Sequence, residues 1–186
     1  INQNELYIVF RTGSNISKQG NIDRYKNFGL KEEWVEAYFV DRDDFWTSNH
    51  GLNENYQIPS LKAWLRDAEI IDANNKITEL GEFLAECYTD NPDFIWEIIW
   101  INLSYNSFIV NWFNCNIPPM SQYTAKGMEV LIQEQFGSYK EKTIHNAVYQ
   151  LQRTLKESPI GATLCQMESI DKSTFVRQRH DNLSPE

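Results

Sequence analysis

The sequence predicts a mainly α fold with one small β-hairpin: helix–turn–helix and winged-helix-like units around a central apolar helix. Three observations carry that prediction. Apolar residues recur every three or four positions in stretch after stretch between Leu30 and Leu155. Caps and breakers such as Pro59-Ser60, Asn91-Pro92 and Ser158-Pro159 punctuate those stretches. Strand-like patterns are confined to the short run ELYIVF (5–10) near the start and to the alternating segments ATLCQME (162–168) and TFVRQRH (174–180) near the end.

Residues 5–10 read as a short strand, and TGSNISKQGNIDRYKN (12–27), rich in Gly, Ser and Asn, as a loop or linker. LKEEWVEAYF (30–39) places Leu30, Trp34, Val35, Tyr38 and Phe39 on one helical face. The polar segment 41–55 connects to a helix opened by Pro59 and Ser60, Pro being tolerated in a first turn and Ser able to cap. Leu61, Trp64, Leu65 and Ala68 form its buried stripe. Asp72-Ala73-Asn74-Asn75 is turn chemistry. Thr78 then caps a helix whose inner face is Leu80, Phe83, Leu84 and Cys87 or Tyr88.

Asn91-Pro92-Asp93 combines a cap, a Pro and an acid at a helix start. The stretch FIWEIIWINLSYNSFIVNWF is apolar on almost every side, the mark of a central helix covered all round, with a break near Tyr105–Ser107. Asn102 and Asn106, one turn apart, either line a polar site or bond to neighbouring helices. Asn116-Ile-Pro-Pro-Met is a linker. A helix from Thr124 to Phe136 turns Met128, Leu131, Ile132 and Phe136 inward and stops at Gly137. Ser138 and Glu141 have the spacing of a capping box. The helix after them, to about Lys156, buries Ile144, Ala147, Val148, Leu151 and Leu155, and Ser158-Pro159 ends it. The alternating segments around SIDKS close the chain as a hairpin. This divides the sequence into an unassigned strand and linker (1–26), a helical unit containing the central helix (27–116), and a second unit with a hairpin wing (117–186).

A hydrophobic content of 41% and an aromatic content of 13% make this a globular rather than a disordered chain. No uninterrupted apolar run is long enough to cross a bilayer, because Glu97, Asn102, Ser104, Asn106 and Asn111 break the 94–113 stretch. No signal peptide is visible, and the first residue is Ile rather than Met, so a fragment of a longer cytoplasmic protein is expected. Cys87, Cys115 and Cys165 are far apart and read as reduced core residues; with three scattered histidines they give no metal-ligand cluster.

The net charge of −9 argues against a wholly nucleic-acid-binding surface, but the charge is uneven. Residues 1–137 hold 10 Lys/Arg against 20 Asp/Glu, whereas 138–181 hold 7 against 5. No catalytic or nucleotide motif is present: no P-loop, dinucleotide fingerprint, HExxH or nucleophile elbow. No cofactor is expected. Acid pairs such as Glu32/Glu33 and Asp43/Asp44 have the character of solvated surface.

The 139–156 helix supplies the one pattern with binding chemistry. Lys142, His145, Asn146, Tyr149, Arg153 and Lys156 recur at spacings of three and four on its polar face. A major groove admits a helix presenting cationic and amide groups. Lys and Arg would meet phosphates, and Asn146 and Gln150 would reach base edges. Arg177 and Arg179 share a face of the hairpin and would touch the backbone as a wing does. The same pattern also fits a solvated face. A second reading is a protein-interaction module, with an acidic surface and Trp34, Trp46 and Trp64 as anchors for a partner subunit.

In order and spacing, four segments resemble an uncharacterised domain of bacterial DNA-modification and phage-defence loci. They are FGLKEEW (28–34), SLKAWLRDAEIID with KITELGEFL, NPDFIWEIIWINLSYNSFIVNWF, and TIHNAVYQLQRTL followed by SPIGATLCQ. Those loci include phosphorothioation systems, and similar domains occur with phosphoadenosine-phosphosulfate-reductase-like proteins. The resemblance spans about residues 27–168. It implies a winged-helix-like, non-catalytic accessory part that positions DNA or docks other subunits, within a parent chain expected to carry a reductase-like enzyme. It supplies no catalytic residue.

Overall fold

A computed structural model describes residues 22–179. The expected strand over 5–10, most of the polar segment after it, and His180 lie outside the described residues. Helix α1 (Glu32–Asp41) buries Trp34, Val35, Tyr38 and Phe39, the face that the spacing marks. A 3-10 turn (Arg42–Trp46) follows it. Helix α2 (Gln57–Asp67) buries Leu61, Trp64 and Leu65. It begins two residues before Pro59, and Ser60 does not cap it: Ser60 is fully buried. The chain enters instead through Asn53, whose side-chain oxygen accepts from the Asn55 and Tyr56 amides.

The corner between α2 and the next helix is fixed at both ends. Asp72 Oδ1 accepts from the Asn74 and Lys76 amides at 2.8 and 2.9 Å, and Ile71 bridges to Ile77. Thr78 Oγ1 then accepts from the Gly81 amide at 2.9 Å, the expected cap of α3 (Glu79–Cys87). Leu84 is buried there, but Phe83 turns outward with 48% exposure.

Helix α4 (Pro92–Asn106) starts at the Asn91 cap and breaks at Ser107, where α5 (Phe108–Asn116) begins. Ile95, Trp96, Ile99, Trp100 and Leu103 face the core. The expectation of a helix covered all round fails on the opposite side, where Ile101 and Tyr105 are exposed. Asn102 and Asn106 belong to the packing. Their amides donate to the backbone carbonyls of Ala68 and Asp67, at 2.9 and 3.0 Å. Those carbonyls sit at the end of α2, where a helix leaves acceptors without internal partners.

The last part runs β1 (Gln122–Thr124), α6 (Ala125–Gln135), α7 (Glu141–Glu157), the single turn α8 (Pro159–Ala162), β2 (Glu168–Ser169) and β3 (Thr174–Val176). Thr124 caps α6 through the Gly127 amide, and Met128 and Ile132 point inward, whereas Leu131 is exposed. Ser138 makes no capping box; Lys140 precedes α7 with no side-chain cap. The expected long hairpin is shorter than its alternation suggested, since Ala162 ends α8 and 163–166 form a turn and bend. It is also part of a larger sheet: β3 lies between β1 and β2, antiparallel to both, with Val176 opposite Gln122 and Glu168.

Aromatic side chains dominate the core, with Trp64, Trp96, Tyr25, Tyr38, Phe45 and Phe113 all fully buried. Trp34 and Trp64 are therefore packing residues and not interface anchors. Trp46 is half-buried, donates to the Asn75 carbonyl and carries the Lys62 ammonium 4.6 Å from its ring. Of the cysteines expected in the core, Cys87 is half-buried and packs against it, Cys165 is half-buried, and Cys115 is exposed. Among the described residues no helix is long and apolar enough to cross a membrane.

Candidate nucleic-acid interface

Helix α7 has three sides with different neighbours. Ile144, Ala147, Val148, Leu151 and Leu155 face the core as their spacing requires. A second side, polar in sequence, is covered by residues 23–31. Thr154 Oγ1 accepts from the Leu30 amide at 2.8 Å. Gln150 is fully buried, and its amide donates to the Asp23 carbonyl at 3.2 Å. Asn146 Nδ2 donates to Asp23 Oδ2 at 3.3 Å. Gln150 thus cannot read a base edge, and Asn146 is already engaged. Gly29 makes this contact possible: a Cβ there would lie 2.4 Å from the Thr154 nitrogen and 2.5 Å from the Arg153 carbonyl carbon.

The third side is open, and Lys142, His145, Tyr149 and Lys156 lie exposed along it. The His145 ring is nearly parallel to that of Tyr149 (18°, centroids 6.4 Å apart), and the Arg153 guanidinium lies 5.7 Å from the Tyr149 centroid. Arg153 is half-buried and donates through Nε to Glu157 Oε1 at 2.7 Å. Its charge is matched within the helix. Lys156 reaches back to sit 5.1 Å from the Phe175 ring of β3.

Arg177 is no wing contact. Its guanidinium donates to Gln166 Oε1 (2.8 Å), the Ile117 carbonyl (2.6 Å) and Asn114 Oδ1 (2.8 Å), and it lies 5.2 Å from the Phe113 ring. It ties β3 to the end of α5 and the linker. Arg179 is exposed beyond β3. The structure therefore brings Lys142, His145, Tyr149 and Lys156 onto one open face, leaves Asn146 and Arg153 at its margin, and removes Arg177.

A groove of about 600 Å³ separates α6 from α7 beside this face, lined by Lys126, Glu129, Glu134, Glu141, Lys142 and His145. Glu129 Oε1 lies 2.7 Å from His145 Nδ1, and its other oxygen pairs with Lys126 at 3.2 Å. Burial pushes the Glu129 carboxyl up, but hydrogen bonds from His145 and Lys126 outweigh it and hold it below its ordinary value. Three acids in the groove weaken its appeal to a polyanion, so the cationic end of the open face is set by the two lysines. Among the described residues no group of three or more His, Cys, Asp or Glu is placed to hold a metal ion.

Sequence reasoning missed the role of residues 23–31. The one available signal was Gln150 and Thr154, polar residues one turn apart beside the apolar stripe. Compared with protein-family models, curated proteins and solved structures, the chain matches none of them.

Proposed function

We propose that this chain is a non-catalytic accessory domain of a bacterial DNA modification or defence protein, positioning DNA in the cytoplasm through the open face of α7. The single observation that carries the reading is the element order from α5 onward. A helix, a strand, two helices, the single turn α8 and two returning strands follow one another, with the last strand between the other two. That is the order of a winged helix–turn–helix, in which the third helix, here α7, presents its outer face to the groove. Lys142 and Lys156 supply phosphate contacts, and Tyr149 and His145 supply stacking and hydrogen-bonding surface between them. Arg179, beyond β3, extends the surface.

The cationic charge is small, so affinity is modest. Each neutralised phosphate contributes about −0.9 to the slope of log affinity against log salt, and two to three contacts give about −2 to −3. Fluorescence anisotropy of a short labelled duplex, titrated at low and near-physiological salt, measures this directly. The Lys142→Glu/Lys156→Glu variant should bind at least tenfold more weakly, on the order of one lost decade per 1.4 kcal/mol, with its melting temperature unchanged. Absence of binding at low salt would remove the reading.

A further inference from the structure

Helix α4 carries two apolar faces, and among the described residues the fold uses one. Opposite the core-facing residues, Phe94, Ile98, Ile101 and Tyr105 follow one another at spacings of four, three and four. Phe94 is 44% exposed, Ile101 53% and Tyr105 70%, with Ile98 half-buried between them. That spacing repeats every seven residues and forms a narrow seam along the helix, the seam against which a second helix packs. Buried apolar residues dominate such contacts, so a four-residue seam that no described residue covers is one half of such a contact.

The charge around the seam selects its occupant. No Lys, Arg or His occurs between Lys76 and Lys126, while Glu79, Glu82, Glu86, Asp90, Asp93 and Glu97 all fall there, of which Glu82 pairs with Arg42. Asp93 and Glu97 flank the seam on α4 itself. Burial, together with the neighbouring Glu36 and Asp93 charges, pushes the Glu32 carboxyl above its ordinary value. Acids of α1 and α4 thus crowd one end. At the other end Asn106 donates to Glu69. A second copy of α4 packed in parallel would bring these acids together, and one packed antiparallel would set them beside Glu69 at the Asn106 end, so like charges cost affinity in either arrangement.

We propose that the Phe94–Ile98–Ile101–Tyr105 seam docks a cationic amphipathic helix of a partner protein, apolar at heptad positions and flanked by Lys or Arg. The proposal stands independently of DNA binding by α7. The seam supplies burial, and the acidic rim supplies orientation and faster encounter. The intact chain would be titrated with a labelled synthetic peptide having Leu at heptad a and d positions and Lys elsewhere. A peptide of identical composition in scrambled order and a Leu/Glu peptide of the same pattern run beside it. The patterned Leu/Lys peptide should bind, and the other two should bind at least about tenfold more weakly. Ile101→Ser/Tyr105→Ser, two exposed changes checked by an unaltered melting temperature, should weaken the patterned peptide by a similar factor. Equal binding of the scrambled peptide, indifference to the double variant, or no binding would overturn the proposal. So would a sedimentation result showing a dimer that the double variant dissociates, since the occupant would then be a second copy.

Discussion

Tyr25 donates its phenolic hydrogen to the carboxylate of Asp67, a residue 42 positions further along the chain. The Tyr25 ring lies flat on Trp64, centroids 3.5 Å apart, and Arg24 pairs with the other Asp67 oxygen at 3.2 Å. This contact anchors the segment before α1 to the end of α2. Burial raises the Tyr25 hydroxyl well above its ordinary value, so it stays a donor at any physiological pH. Tyr25→Phe keeps the stacking and removes one partner of a buried carboxylate. We expect a loss of about 1–3 kcal/mol in urea unfolding.

Asp67 also sets a pH dependence. Burial raises its carboxyl above the ordinary value, against the lowering effects of the Tyr25 hydrogen bond and the Arg24 charge. The folded state therefore holds this proton to a higher pH than the unfolded state does. From about pH 4, where an unfolded Asp titrates, up through the raised folded value, the unfolded chain binds fewer protons. The Asp67 contribution to stability falls as pH rises across that window. The difference in unfolding free energy between the wild type and Asp67→Asn, measured by urea titration from pH 3.5 upward, should shift steadily in favour of the variant there and stay flat above it.

The Gly29 contact with α7 leaves no room for a side chain, because both close atoms belong to backbone. Gly29→Ala must separate residues 28–31 from α7 or distort the helix, at a cost of about 1–3 kcal/mol or more. Hydrogen exchange localises the damage. The Leu30 amide, bonded to Thr154 Oγ1, should lose protection before the amides in the centre of α7 do.

Arg177 and the α7 lysines should separate cleanly. Arg177→Lys keeps the charge but loses the planar fork that serves Gln166, Ile117 and Asn114. Charge-assisted bonds are worth about 1.5–3 kcal/mol, so the melting temperature should drop while the salt slope of DNA binding stays unchanged. Lys142→Glu/Lys156→Glu should do the reverse. A lowered salt slope in Arg177→Lys would show that this guanidinium meets phosphate after all.

Local chemistry was legible in the sequence, and long-range pairing was not. Thr78 capping Gly81, Asn91-Pro92 opening α4, and the 144–155 stripe each depend on neighbours within a turn or two, so spacing alone reveals them. The three residues of β1 show no alternation, and their partners lie in 174–176. Asn146 and Gln150 read as solvent-facing because periodicity separates polar from apolar faces. It cannot separate a polar face met by water from one met by the backbone at Asp23. Arg177 looked like a surface cation for the same reason: its carbonyl partner at Ile117 is 60 residues away. Four of the eight candidate contacts lie on one open face of α7 as their spacing places them, but their partners, Glu129 of α6 for His145 and Phe175 of β3 for Lys156, come from other elements that spacing does not reveal.

The order of the small sheet has a consequence for synthesis on the ribosome. Its middle strand, β3, is the last of the three to be made, and neither β1 nor β2 has any other strand to pair with among the described residues. Until β3 is available, the backbone groups of residues 122–124 await the strand that will bond them. A chain ending before residue 174 would therefore leave both β1 and β2 without their strand partner.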